Sequence, residues 1–432
     1  MGNIKCGAAI GDITPLENEF YGLEALQRRK IGGVIDPIHV RVISVYDGLE
    51  RILFICFELD KAPYPDEYKK EIKVLFEVNI DNIFFLAAHV HSMPVLGDRT
   101  TDGPNNIAGK PEEVVTCTHN YEKRVHDIVI STVSRAIATE QDAVVGFSVG
   151  ESYINVDRKC NYTYKDEAGN VHNLLALGQN RNSDINHEVN IVRFDDLQGH
   201  PLAFIVNYPV HCTVLHGNSV IDGKLGISAD IAGFVSSNVE KRYKNAVCIW
   251  TSGAAGDINP AMMCELTYPN PENGEPKQEI MEGDTTYLLR NIGSQHLEDV
   301  SNAITNTKCS ATTLLIKNEV RLCLSEGKSG QYIVQLHMIR VNDKAILGVS
   351  GELFGSYQKE IENIIGTNNI IVINHDCSLQ FDSGYIPDKA TMSEAECWLP
   401  GIGNKSNIVV SNFYDSFIKT VSEMYQSLFS TE

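Results

Sequence analysis

The chain has 432 residues, 43% of them hydrophobic, with 36 Lys and Arg against 56 Asp and Glu, a formal charge of −20. That is enough chain for a large core, and its negative surface repels phosphate backbones and anionic headgroups, so nucleic acid is excluded as a partner and no stable membrane anchor is expected. No apolar run reaches the ~18 residues of a membrane-spanning helix, the opening MGNIKCGAAIGDITP lacks an apolar leader, and the 11 cysteines include no CxxC pair, which together point to a cytoplasmic protein with reduced thiols.

In chain order, β-rich apolar runs predict strands at 41–47 and on to Gly48, 52–59, 83–88 and 144–150. Further strands are predicted at 189–194, 202–208, 246–250, 333–341 and 345–349. Helical periodicity falls at 112–138, 228–243, 287–306, 353–365 and 408–428. In SADIAGFVSSNVEKRY, Ser228 suits an N-cap, Asp230 the positive helix end, and Ile231, Phe234, Val235 and Val239 one apolar stripe. The last helix places Val409, Val410, Phe413, Phe417 and Val421 near one face. The polar stretch TYPNPENGEPKQE (267–279) reads as a surface loop. No repeat interrupts this alternation, which predicts an α/β architecture of mixed sheets flanked by helices.

Polar residues gather where apolar runs stop, which is where open α/β folds place their sites. The strand FFLAA runs into His89-Val-His91. Residues i and i+2 of a strand face the same way, so these are either half of a metal site or two solvent-facing imidazoles. His211 follows the strand ending NYPV, with His216 five residues on. IWTSGAAGDINP (249–260) is either a tight connection or a loop whose N–H groups near Gly253 to Asp257 could hold an oxyanion. Glu352 stands at a strand-to-helix junction, as a cap or as a ligand, and Tyr385 follows Gly384 in a turn.

Taken in order, these segments resemble the neutral/alkaline ceramidase family. GAAIGDITP (7–15) is similar to the family's opening strand and turn, and IDPIHVRVISV (35–45) continues the match. AAHVHSMP resembles its THTHSGP, and NYPVHCTVL with ISADIAGF resembles FAxHxTSM with SGDNxGY. GAAGDINP resembles GDVSPN, VSGEL resembles PGEF, and SGYIP resembles THYI. The resemblance implies a catalytic domain spanning 1–432 that hydrolyses a linear amide. It implies one zinc ion held by His89, His211, Glu352 and Tyr385. His91 would be the acid–base partner beside the metal, and Arg158 in INVDRKC would orient a substrate oxygen.

Three departures accompany the match. Asn259 stands where the family has a serine, and its amide could still donate a hydrogen bond. The family's second active-site tyrosine would fall at Cys397, beside Trp398, so a cysteine stands in its place. The 47 residues after Tyr385 are too few for the family's immunoglobulin-like module of roughly 100 residues. The expected substrate is therefore a small or lipid-like amide other than membrane ceramide. A catalytically degenerate ligand-binding protein, or a zinc esterase or lactonase, remains the alternative. An amidohydrolase barrel would place HxH on its first strand and carry eight βα repeats, whereas at least two strands precede His89 here. A metallo-β-lactamase-like site would need an aspartate after the HxH, and HVHSMP has none.

Overall fold

A computed structural model describes residues 4–24, 29–97, 109–310, 317–327, 330–377, 384–393, 397–398 and 410–429. The main sheet has eight strands, in spatial order Val247–Ser252, Pro201–Tyr208, Glu188–Asp196, Gln141–Glu151, Ile4–Asp12, His39–Tyr46, Arg51–Phe57 and Ile83–Ala87. Pairing is parallel at its two ends and antiparallel between them. The end strand Ile83–Ala87 is buried throughout, as expected of a strand covered on both faces. A second sheet runs Lys317–Gly327, Gly330–Val341, Lys344–Val349, Ile370–Asn374. A third joins Ile258–Pro260, Asn155–Lys165, Val171–Asn180 and Cys397–Trp398.

Helix Glu112–Ala138 packs on Ile4–Asp12 and His39–Tyr46. Its buried Tyr121, Val125, Val129, Val133 and Ala136 recur at three- and four-residue steps, the stripe a sheet-covering helix needs. Helices Asp230–Arg242 and Thr286–Asn306 pack on each other, the first also on Val247–Ser252 and the second on Gln141–Glu151 and Glu188–Asp196. Helix Val410–Phe429 covers the second sheet, burying Phe413, Phe417 and Val421. The expected helix start at 408 and Val409 lie outside the described residues. Two apolar cores result. The larger lies around the main sheet and takes in Ile339, Val341, Ile346, Ile371 and Ile373 of the second sheet, and the smaller holds the rest of that sheet's buried residues with Leu353, Phe354, Ile386 and the last helix. No helix among the described residues is long and apolar enough to cross a membrane.

Several expectations need correction. The stretch 267–279 is not a loop. Glu265–Pro269 and Pro276–Ile280 pair antiparallel as a hairpin, with Asn270 N–H donating to Glu275 O at 2.7 Å. Its strands are largely exposed, so no apolar alternation marks them. Ser228 does not occupy the N-cap, which falls at Ala229. The Ser228 hydroxyl accepts from Asp230 N–H at 3.0 Å and donates to Asp36 at 2.6 Å. Buried Asp230, at φ +51, accepts from the N–H groups of Val214, Leu215 and Ile231. The helix expected from 353 starts at Ser356, because Glu352–Leu353 pairs with Tyr385–Ile386 instead.

Candidate metal centre

The centre is built on the ends of strands from both sheets. Ile83–Ala87 delivers the first histidines, though not by strand alternation. The strand stops at Ala87, and His89 adopts φ +58 in the left-handed region. Three backbone bonds fix this exit: Ala88 N–H to Phe57 O at 2.8 Å, Val90 N–H to Leu59 O at 3.0 Å, and His91 N–H to Cys212 O at 3.2 Å. The two imidazoles still meet, Nε2 to Nε2 at 3.0 Å. His89 Nδ1 lies 3.2 Å from Asp60 O and 3.1 Å from Asp60 Oδ1. Both partners only accept, so Nδ1 carries a proton and Nε2 is the nitrogen turned to the centre.

Val90 bridges Cys212 in parallel, which sets His211 beside that loop. His211 N–H donates to Ile258 O at 3.1 Å, and Nδ1 lies 3.1 Å from the same oxygen. Its Nε2 is thereby left toward Glu352 Oε2, 3.1 Å away. Glu352 Oε2 is also 3.4 Å from His89 Nε2.

Glu352 is opposite Tyr385 in a short parallel pair, and its N–H donates to Gly384 O at 2.8 Å. The loop at 253–257 acts as a brace through two of its N–H groups. Gly253 N–H donates to Tyr208 O at 3.0 Å and Gly256 N–H to Leu353 O at 2.7 Å, so neither is left for an oxyanion. A Cβ on Gly256 would sit 2.5 Å from Glu352 O, and only glycine allows that approach. The Asp257 carboxylate accepts from Gly355 N–H at 2.6 Å and pairs with Lys159, holding the far side of the same segment.

The Tyr385 ring stacks on His211, centroids 6.3 Å apart, and the Arg158 guanidinium sits 5.2 Å from the Tyr385 ring centre. Arg158 is buried and donates to Gly256 O and, at 3.4 Å, to Asn259 Oδ1. Asn259 Nδ2 faces the Met263 thioether at 3.6 Å.

Burial opposes a charge on His89, but Glu352 and Asp60 outweigh it and lift the imidazole to about 10. Burial likewise opposes charge on Glu352, yet His89 and His211 hold its carboxyl well below the ordinary range. Burial, with Arg158 nearby, drops His211 to about 4, and burial with three neighbouring imidazoles keeps His91 low. Burial and Glu352 push the Tyr385 phenol up, against Arg158. The buried carboxylate thus faces the Nε2 atoms of two imidazoles whose Nδ1 atoms are already committed to acceptors, and His89 holds a proton there that a metal ion would replace. Proton and metal compete for such a set, and imidazole with carboxylate is the donor chemistry zinc accepts. His89, His91 and His211 have ligand atoms within 4.8 Å of one another, as do His89, Glu352 and His375. The residues fit a metal ion.

Of the residues expected from sequence, His89, His91, His211 and Glu352 converge directly, with Tyr385, Arg158 and Asn259 linked behind them. Sequence reasoning missed Asp60, which fixes His89, and His375, whose buried ring stacks on His89 at 3.8 Å. Both end apolar runs, in ILFICFELD and IIVINHD, so the same rule would have found them.

The fold is that of the neutral ceramidases. A crystal structure of neutral ceramidase from Pseudomonas aeruginosa matches with a TM-score of 0.65 and 14% identity, over 92% of this chain and 70% of that one. A ceramidase complexed with C2 matches with a TM-score of 0.70 and 12% identity, over 99% of this chain and 75% of that one. No protein-family model and no curated protein sequence matches the chain.

Proposed function

We propose that the chain is a zinc-dependent hydrolase of a linear N-acyl amide, with His89, His211, Glu352 and Tyr385 as metal ligands. The observation that carries this reading is the convergence of His89, His211 and Glu352 with each imidazole Nδ1 already bound to an acceptor. Bound there, zinc would supply Lewis-acid polarisation and a water acidified toward neutral pH. His91, kept neutral by its surroundings, presents Nε2 to take a proton at the centre and return it to the leaving amine. Arg158 holds the Asn259 carbonyl oxygen, which leaves the Asn259 amide N–H not directed at Met263 as the donor for a substrate oxygen. Arg158 also backs Tyr385 through its ring face.

The charge of −20 and Asn259 favour a small or soluble amide over ceramide in a bilayer. The test combines metal analysis with kcat/KM on short- and long-chain N-acyl amides, the latter in detergent and in vesicles. About one zinc per chain and turnover of soluble amides is the expected result. Efficient cleavage of long-chain ceramide in vesicles would restore a plain ceramidase assignment. Turnover of esters or lactones alone would move the reaction class, and tight binding without turnover would mark a binding protein.

A further inference from the structure

His375 and Glu352 both reach His89, and ligand atoms of the three lie within 4.8 Å of one another. His375 is nonetheless placed unlike the other imidazoles. Its ring lies face to face on the His89 ring, centroids 3.8 Å apart and planes only 12° from parallel. The rings of His211 and His91 meet His89 at 70° and 85° instead. The stack is built into the fold. Strand Ile370–Asn374 ends one residue earlier, and His375 takes φ +60, the left-handed region that His89 also occupies. A residue with a side chain persists there only where its surroundings over-determine it. His375 N–H donates to Gly351 O at 3.3 Å, Ala87 N–H to His375 O at 3.1 Å, Asp376 N–H to Val349 O at 3.0 Å and Cys377 N–H to Phe85 O at 2.9 Å. The Asp376 carboxylate accepts from Phe85 N–H at 3.1 Å and lies 3.0 Å from His337 Nδ1. A Cβ on Gly348 would stand 2.5 Å from Asp376 Oδ2, so the segment sits flush on its sheet. His337 in turn stacks on Phe84, centroids 3.7 Å apart. The two sheets thus meet through two ring stacks, Phe84 on His337 and His89 on His375.

We infer that His375 is a stacking support that fixes the plane of the His89 ring at the centre, and that it is not itself a donor to the ion. An imidazole gives its lone pair in the plane of its ring, so an ion about 2.0–2.1 Å from the nitrogen lies in that plane. Two nearly parallel planes a ring thickness apart share no such point. His89 Nε2 is the nitrogen turned to the centre, 3.4 Å from Glu352 Oε2, so His89 is the ring of the stack that binds, and His375 covers its face. Asp60 holds the His89 ring at Nδ1. A contact at one atom leaves the ring free to swing about that atom, and a parallel face removes the freedom. The ring that binds the ion also takes up part of its charge, which the π-face of its neighbour attracts. His375 is thus a positioning residue that acts through His89.

The inference rests on the metal-centre reading for its affinity arm, and its NMR arm needs no ion. His375→Phe can stack but cannot bind metal, and His375→Ala can do neither. Both keep a Cβ, so the backbone strain at φ +60 is the same in the two. Zinc affinity, read by competition with a chromophoric chelator, should fall roughly 10–100-fold in His375→Ala, the usual effect of losing an outer support, and stay within about threefold of the unmodified chain in His375→Phe. The d–d bands of cobalt-loaded protein should move in the alanine variant and hold their place in the phenylalanine one. In metal-free protein, the ring-proton signals of His89 should carry a ring-current shift that His375→Phe keeps and His375→Ala loses. Equal loss of zinc in both variants would make His375 a ligand and overturn the inference. Unchanged affinity in His375→Ala, or an unshifted His89 in the unmodified chain, would overturn it too. In a chain that binds neither zinc nor cobalt, the ring-current pattern would support the stack and reject the metal centre, and its absence would reject both.

Discussion

Gly256→Ala probes the link between the glycine-rich loop and the metal ligand it supports. The new Cβ would meet Glu352 O at 2.5 Å, Phe354 Cδ1 at 2.7 Å and Leu353 O at 3.1 Å. Reaching the 3.4 Å of ordinary contact with Glu352 O requires about 0.9 Å of separation. Two of the three neighbours are backbone atoms, and Leu353 is fixed on both sides, by Gly256 N–H and by the pair with Ile386. The strain of such overpacking is about 1–3 kcal/mol. Metal sites tolerate ligand displacements of only about 0.2 Å, so a shift of Glu352 by several tenths should reduce metal affinity roughly 10–100-fold. Metal content after dialysis against a graded chelator series would be measured beside thermal unfolding with and without added zinc. The expected pattern is a weakened site and a smaller metal-induced rise in the midpoint. An alanine variant with unaltered affinity and midpoint would refute the idea that this loop positions Glu352.

His211→Ala should lose most bound metal and nearly all hydrolysis while remaining folded, and full zinc occupancy by elemental analysis would reject His211 as a ligand. His91→Gln should retain the metal and lose roughly 10²–10⁴ in rate, whereas loss of metal would make His91 a ligand. Burial raises Asp230 from 3.8 to about 6, against the pull of three backbone N–H groups. The folded chain thus holds this proton more tightly than the unfolded chain. The corresponding contribution is present below about pH 4, falls as pH rises through about 6, and is on the order of 3 kcal/mol. Asp230→Asn should flatten the pH dependence of urea unfolding between pH 4 and 7, and parallel curves for the two proteins would contradict this.

What the sequence disclosed depended on how local each signal was. Helix 112–138 was legible to the residue because its buried positions recur on one face from Thr118 to Ala136. His89, His211 and Glu352 were legible because each ends an apolar run, and a polar residue there needs a reason. The left-handed turn at His89 was not legible, since nothing in HVH distinguishes it from two more strand residues. The hairpin at 265–280 was hidden because its strands bury no continuous face, and its Asn and Pro residues argue for a loop. Ser228 missed the N-cap by one residue because buried Asp230 takes over the local donors. Helix Pro65–Phe76 and the hairpin of Asn155–Lys165 with Val171–Asn180 were not predicted at all. The expected involvement of Tyr385 and Arg158 came from the order of motifs along the chain, which no single turn could supply.

The donors are divided between the two cores. His89 and His211 extend from segments packed in the larger one, through Val90, Val210 and Cys212, and Glu352 precedes Leu353 of the smaller one. They are far apart in the chain, so no local fragment can assemble the centre during folding. Contacts of such separation must close long loops before they stabilise anything. The second sheet buries residues in both cores, so the ion-binding geometry exists only once that sheet has packed on its two sides. Metal uptake therefore reports completion of the whole structure.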